Sequence, residues 1–269
     1  MTLHFDSPER RYGPLSEMLC DASYLRDRPD GCEGDFFAAR GPEGFCGRWG
    51  APELAQFLAD AGCMAHWRAQ GYSRVWVEVD PNEIPGRYGM SVWTQVGECS
   101  ELLMLAVVWL DYVQIDRLGH AYPSFGVEHL LLQQPGRAFG DARPMPGQDA
   151  PSSGMLRRMF GLIRHWACML GAGIISEIPQ YFHTAYLFSE YFSFAAAEME
   201  GFFQTACADL MPGHTLGEVS RAFAEHRVLY DGKPWFWPTE LQVYGLSHDL
   251  QERIRAVRDA RDPGHFSWA

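Results

Sequence analysis

Three short stretches of this chain hold the residue types that move protons, grip anions or bind metals. In the first, Glu128 stands beside Val127 and just ahead of Leu130, Leu131 and Leu132, in a short apolar strand running from Val127 to Gln133. Apolar surroundings disfavour the charged form of a carboxylate, which lifts its pKa towards the range of a useful general base. An exposed residue on an alternating strand fits the same pattern, and spacing alone leaves both readings open. His129 follows directly. In a regular strand it points to the opposite face, so the two side chains would not act on one atom.

The second stretch, Gln148 to Gly154, leads from a Pro- and Gly-rich loop (Pro135 to Ser153) into an apolar helical stripe beginning at Met155. A helix start presents unpaired N–H groups and a partial positive charge, which together suit a phosphate or pyrophosphate. Ser152 or Ser153 can cap that helix, and Gly154 lets a ligand approach the backbone. Arg157 and Arg158 fall in the first turn, where a cation opposes the macrodipole unless a bound polyanion reverses the sign. An ordinary capped helix with surface arginines is the plain alternative. Arg137 and Arg143 lie in the loop ahead of it, so the expected anion site is local. The third set is Glu177, His183 and Glu190, with Glu128 or His129 added, whose carboxylates and imidazoles are donors of the kind that hold a divalent or non-haem iron ion. No His-x-x-x-His or Glu-x-x-His pair supplies two ligands from adjacent turns, so metal binding is the minor reading.

Other chemistries are weakly represented. The chain has no Gly-x-Ser-x-Gly elbow and no Walker-type phosphate loop, and Cys168 has no recognisable His partner. With 34 acidic against 22 basic residues and a formal charge of −12, a broad nucleic-acid surface is excluded on electrostatic grounds. The longest apolar run, Leu102 to Leu110, is about half of the roughly 20 residues that a membrane helix needs. Met1 to Arg11 is polar, without a signal-peptide core, so a cytoplasmic bacterial-type protein is expected. The seven cysteines form no Cys-x-x-Cys pair, which fits reduced and mostly buried thiols.

The elements that must position these residues follow from periodicity. Residues 1–50 are rich in Gly, Pro and charge and read as an irregular segment. Leu54, Phe57, Leu58 and Ala61 recur at helical spacing behind Pro52, up to Gly71. A strand follows over Arg74–Asp80, and two more are expected between Met90 and Ile115 around Gly97–Ser100, with Leu102–Leu110 central and covered on both sides. The stripe Met155, Met159, Phe160, Ile163, Trp166, Ala167 and Leu170 predicts a long helix. A strand from Gly173 to Ile178 comes next, then a helix from Pro179 to about Phe192. Strand, turn, helix, strand and helix make a βαβα unit with parallel strands. Seven aromatics between Tyr181 and Phe194 are too many for one helix face, so Tyr186 or Tyr191 can wall a hydrophobic pocket. Thr215 and Glu218 have capping-box spacing, Asp231-Gly232 marks a hairpin between Val228–Tyr230 and Trp235–Trp237, and a last helix runs around Leu250, Ile254 and Val257. Trp235, Phe236 and Trp237 suit either a cover over the pocket or a homodimer contact.

From about Ser91 to Phe194 this order resembles the GNAT family of N-acetyltransferases, in which a Gln/Arg-x-x-Gly-x-Gly/Ala turn and a long helix grip the coenzyme A pyrophosphate. Gln148 to Gly154 and its helix are similar to that part. Gly173–Ile178, His183-Thr184-Ala185 and Phe188–Phe194 follow the family's later order, with His183 in place of its asparagine. The resemblance implies an α/β fold with a mixed, partly antiparallel central sheet flanked by helices, over a core of residues 51–197, and an α-rich extension, 198–269, packed on it. It also implies an acetyl-CoA or other acyl-CoA donor bound by Gln148, Ser152, Ser153, Gly154, Met155, Arg157, Arg158 and His183. The acceptor would be an amine of a small molecule or protein, with Glu128 as general base and Tyr191 as the acid that protonates the leaving thiolate. Two alternatives stand beside this: a catalytically degenerate GNAT-like binding domain, and the metal-dependent enzyme built on Glu177 and His183.

Overall fold

The computed structural model describes residues 44–80, 84–115, 118–140, 143–256 and 264–269. Of the expected irregular segment 1–50, only 44–50 falls within them. It forms a tight turn, with the Phe45 N–H donating to the Trp49 carbonyl at 2.8 Å. Phe45 and Trp49 are buried against Trp166, so this turn is part of the core.

Pro52 occupies the first turn of α1 (Ala51–Asp60), and the Glu53 carboxylate accepts from the Gly50 N–H at 2.9 Å. The single helix expected up to Gly71 is broken by Gly62, whose φ of 73° is left-handed, and restarts as α2 (Cys63–Ala69). β1 (Val75–Asp80), β2 (Arg87–Val96), β3 (Cys99–Ile115) and β4 (His120–Leu132) form an antiparallel meander. β4 begins well before the expected Val127, because Pro123 and Gly126 obscure its apolar pattern. Within Leu102–Leu110 of β3, Leu103, Met104, Ala106, Val108 and Leu110 are buried while Leu102, Leu105, Val107 and Trp109 are half-buried, so this stretch is fully covered on one face and partly on the other.

α3 (Leu156–Met169) crosses from β4 to β5 (Ile174–Glu177), and β4 and β5 are parallel, as the βαβα reading requires. α4 (Phe182–Phe188) stops short of the expected Phe192, because Ser193–Phe194 turns into the sheet as β6. Next come α5 (Ala197–Leu210), α6 (Leu216–Ala224), β7 (Val228–Tyr230), β8 (Lys233–Pro234), β9 (Gln242–Gly245), α7 (His248–Arg255) and β10 (Phe266–Trp268). The capping box is present, with the Thr215 N–H donating to Glu218 Oε2 at 2.7 Å and the Glu218 N–H donating to Thr215 Oγ1 at 3.2 Å. Asp231 and Gly232, both left-handed, turn the β7–β8 hairpin, whose second strand falls on Lys233–Pro234 and not on Trp235–Trp237. Val257 lies outside the described residues.

The resulting main sheet has seven strands in the order β1-β2-β3-β4-β5-β9-β6, mostly antiparallel, beside a three-stranded sheet β10-β7-β8. β9 therefore sits inside the main sheet, and the segment 198–269 supplies one of its strands as well as packing on it. One sheet face carries the largest core, with α1, α2 and α3; the other carries Val113, Ile115, Ile174 and Val243 under Leu250 and Ile254 of α7. A third, aromatic core joins α4, α5, α6 and the small sheet, where Phe182 stacks on Phe223 at 5.0 Å. Among the described residues, no helix is long and apolar enough to cross a membrane.

Candidate functional site

β4 and β5 pair only from Ser124–Ile174 to Val127–Glu177. Beyond that point they part. The cause is in the ladder between β3 and β4: Val107 pairs with His129 and Val108 with Val127, which leaves Glu128 as the extra residue of a β-bulge. Further along, the Ser153 N–H donates to the Leu132 carbonyl and the Gln134 N–H to the Pro151 carbonyl, so the loop before α3 closes the far end. The edge of β4 from Glu128 to Leu131 is left open between these two pairings. Backbone groups alternate sides along a strand, and the Leu132 carbonyl faces the loop, so the N–H and C=O of Leu130 face the opening.

The opening is a cleft of about 250 Å³. Its walls are mainly apolar, from Leu156, Phe160 and Ile163 of α3 and Phe188 and Phe192 beyond α4. The polar side chains that line it include three carboxylates, Glu128, Asp149 and Glu177, with His129, Gln133, Gln148, Ser152, Gln180, Tyr181, His183 and Thr184. Glu128 and His129 thus line one cleft, because the bulge breaks the alternation that would have separated them.

The two glutamates differ sharply. Glu128 is half-exposed, and both its oxygens are held by Arg87, with Nε at 2.6 Å and Nη2 at 2.7 Å. Glu177 is 7% exposed, and its Oε1 has no hydrogen-bond partner. Burial pushes its carboxyl up to about 8. His183 is also buried, with Nδ1 2.8 Å from Ser220 Oγ and its ring stacked on Tyr181 at 5.5 Å. Burial lowers its pKa to about 4, so it is a neutral imidazole near pH 7. Among the described residues there is no group of three or more His, Cys, Asp or Glu side chains placed to hold a metal.

The expected anion-binding residues separate into two groups. Gln148, Ser152 and His183 line the cleft; Ser153, Gly154, Met155, Arg157 and Arg158 do not. Gln148 Oε1 accepts from the Met145 N–H at 3.0 Å and shapes the loop, and Ser152 Oγ is 3.4 Å from the Gly154 N–H. Met155 is buried, and its side chain makes no capping hydrogen bond at the start of α3. Arg158 reaches back to the Ala61 carbonyl at 3.3 Å, and Arg137 to the Gln70 carbonyl at 2.9 Å. Arg143 lines a separate polar groove with Arg221, His214 and Trp268. The four arginines do not converge: Arg137 and Arg158 are drawn to carbonyls of the α1–α2 region, Arg143 lines the separate groove, and Arg157 lies close enough to Tyr191 to act on its charge.

Tyr191 lies outside the cleft lining, its ring against Phe160 at 4.6 Å. Burial and the neighbouring Glu190 raise its pKa. The aromatic wall comes from Phe188, Phe192 and Tyr181, not from Tyr186 or Tyr191. Sequence reasoning did not give Tyr181 a role and saw Glu177 only as a metal ligand. The signal for Glu177 was its position ending a four-residue apolar strand, and for Tyr181 its place two residues before His183.

Burial pushes the Cys63 and Cys207 thiols up to about 11 and about 12, while Cys99 and Cys168 are exposed. Cys20 and Cys32 lie outside the described residues. No protein-family model matches the chain, and no curated protein matches it.

Proposed function

We propose that this chain is a GNAT-like acyltransferase that moves an acyl group from an acyl-CoA-type donor to an amine. The observation that carries the reading is the parting of β4 from β5 at the Glu128 bulge, which opens a cleft with a buried carboxyl, Glu177, on its floor. An amide-bearing arm laid in that cleft meets the Leu130 N–H and C=O, as a neighbouring strand would. The start of α3, with Arg157 in its first turn and Ser152 at the rim, suits the donor's phosphates. A bound acyl-CoA supplies the acyl group as a thioester.

The chain's own groups do the rest. Glu177 takes the proton from the acceptor ammonium and leaves a nucleophilic amine; a carboxyl pushed up to about 8 is well matched to that transfer near neutral pH. The amine nitrogen bonds to the thioester carbonyl carbon, the C–S bond breaks, and the proton lost by the new amide nitrogen ends on the departing coenzyme A thiolate. Glu128, neutralised by Arg87, marks the mouth. Tyr181 and neutral His183 form the polar end of the aromatic wall. A non-catalytic GNAT-like domain is the second reading, favoured by one observation: Tyr191, the expected acid, stands outside the cleft.

Calorimetry with coenzyme A, followed by thiol release from acetyl-CoA in the presence of amines, separates the two. Binding with thiol release supports the enzyme, and binding without release supports the binding domain. Absence of coenzyme A binding at millimolar ligand removes both.

A further inference from the structure

We infer that the acceptor is a small primary amine with an apolar body, seated with its ammonium on Glu177 at the floor of the cleft. The inference deepens the acyltransferase reading and rests on it for the word acceptor, but the binding site stands on its own geometry. Glu177 is buried, and its Oε1 has no hydrogen-bond partner. A buried carboxyl oxygen that lines a cleft without a donor is costly, and a primary ammonium carries three N–H donors to satisfy it. A carboxylate ligand would bring no donor, and an alcohol a single one.

The rest of the cleft selects an apolar body. Its walls offer Leu156, Phe160 and Phe192, and its rim exposes Ile178 at 44% and Leu187 at 49%. Those two large apolar side chains stand partly in water beside a cleft whose floor is a buried carboxyl. At about 250 Å³ the cleft falls below the roughly 300–1,000 Å³ of pockets for drug-sized ligands. A short alkyl or phenylalkyl amine fits, whereas the side chain of a folded protein's lysine would carry its own backbone against the rim.

The test is calorimetry of the whole chain with hexylamine, hexanol and hexanoate, with coenzyme A titrated separately. Hexylamine is expected to bind roughly tenfold or more tightly than either of the others. Glu177→Gln should remove that preference while keeping coenzyme A binding. Leu187→Arg, on the exposed rim where folding is not at stake, should weaken hexylamine severalfold and spare hexanoate. Equal binding of hexylamine and hexanol, or a preference for hexanoate, overturns the inference. So does a hexylamine affinity unchanged in Glu177→Gln. Failure of coenzyme A to bind while hexylamine still needs Glu177 would overturn the acyltransferase reading and leave the amine site standing.

Discussion

The mouth and the floor of the cleft carry the same functional group in opposite circumstances. At the mouth, the Glu128 carboxylate is half in water and clasped by Arg87 through two short hydrogen bonds. At the floor, Glu177 has lost its water and gained no cation in exchange. A carboxylate stripped of partners has a strong drive to take a proton. Proximity to the cleft, which both share, is therefore a poor guide to the proton acceptor. Environment decides it.

The comparison can be broken in order of effect. The largest concerns stability. Because the folded-state pKa of Glu177 is raised, the folded chain keeps a proton that the unfolded chain loses between about 4.5 and about 8. The stability contribution is thus fully present below pH 4.5 and declines as pH rises to 8, by an amount on the order of a few kcal/mol. Glu177→Gln should flatten that decline in urea melts at several pH values, whereas Glu128→Gln should leave it in place. A wild-type curve already flat above pH 6.5 would remove the distinction between floor and mouth.

Next comes activity. Glu177→Gln should lower kcat/KM for amine acylation by roughly 100-fold or more, and Glu128→Gln by a factor of only about three. The reverse order would make the mouth the catalytic end. His183 gives a smaller effect of opposite sign. Its pKa is lowered to about 4, so its contribution is present above 6.5 and lost as pH falls towards 4. His183→Gln should soften acid unfolding in that window by about 1 kcal/mol or more. The smallest effect is at the surface: Arg87→Ala should cost about 0–1 kcal/mol, less at high salt, since the pair it breaks is solvent-exposed.

Local signals in the sequence were sound wherever one element fixes its own geometry. Pro52, the Thr215–Glu218 box, Asp231-Gly232 and the stripe from Met155 to Leu170 each state a boundary or a face in their own residues. The parallel pairing of β4 and β5 followed from the length of the helical crossover. What escaped was everything decided by a distant partner. The bulge at Glu128 exists only against β3, and Glu177 owes its burial to strands and helices far away in the chain. The convergence expected of Arg137, Arg143, Arg157 and Arg158 failed because carbonyls of Ala61 and Gln70, from the α1–α2 region, hold two of them. Adjacent cations in a sequence repel one another, and the fold distributes them unless an anion collects them.

The placement of β9 between β5 and β6 gives the chain a particular exposure during synthesis. Until Gln242–Gly245 has left the ribosome, β5 has β4 on one side and an unpaired row of backbone groups on the other, and β6 has no partner at all. Such an edge, apolar and uncovered, is a template for pairing with other chains. The nascent protein then holds a nearly finished β1–β4 meander beside an unfinished floor, so premature termination anywhere between β6 and β9 would yield an aggregation-prone fragment and not a smaller working domain.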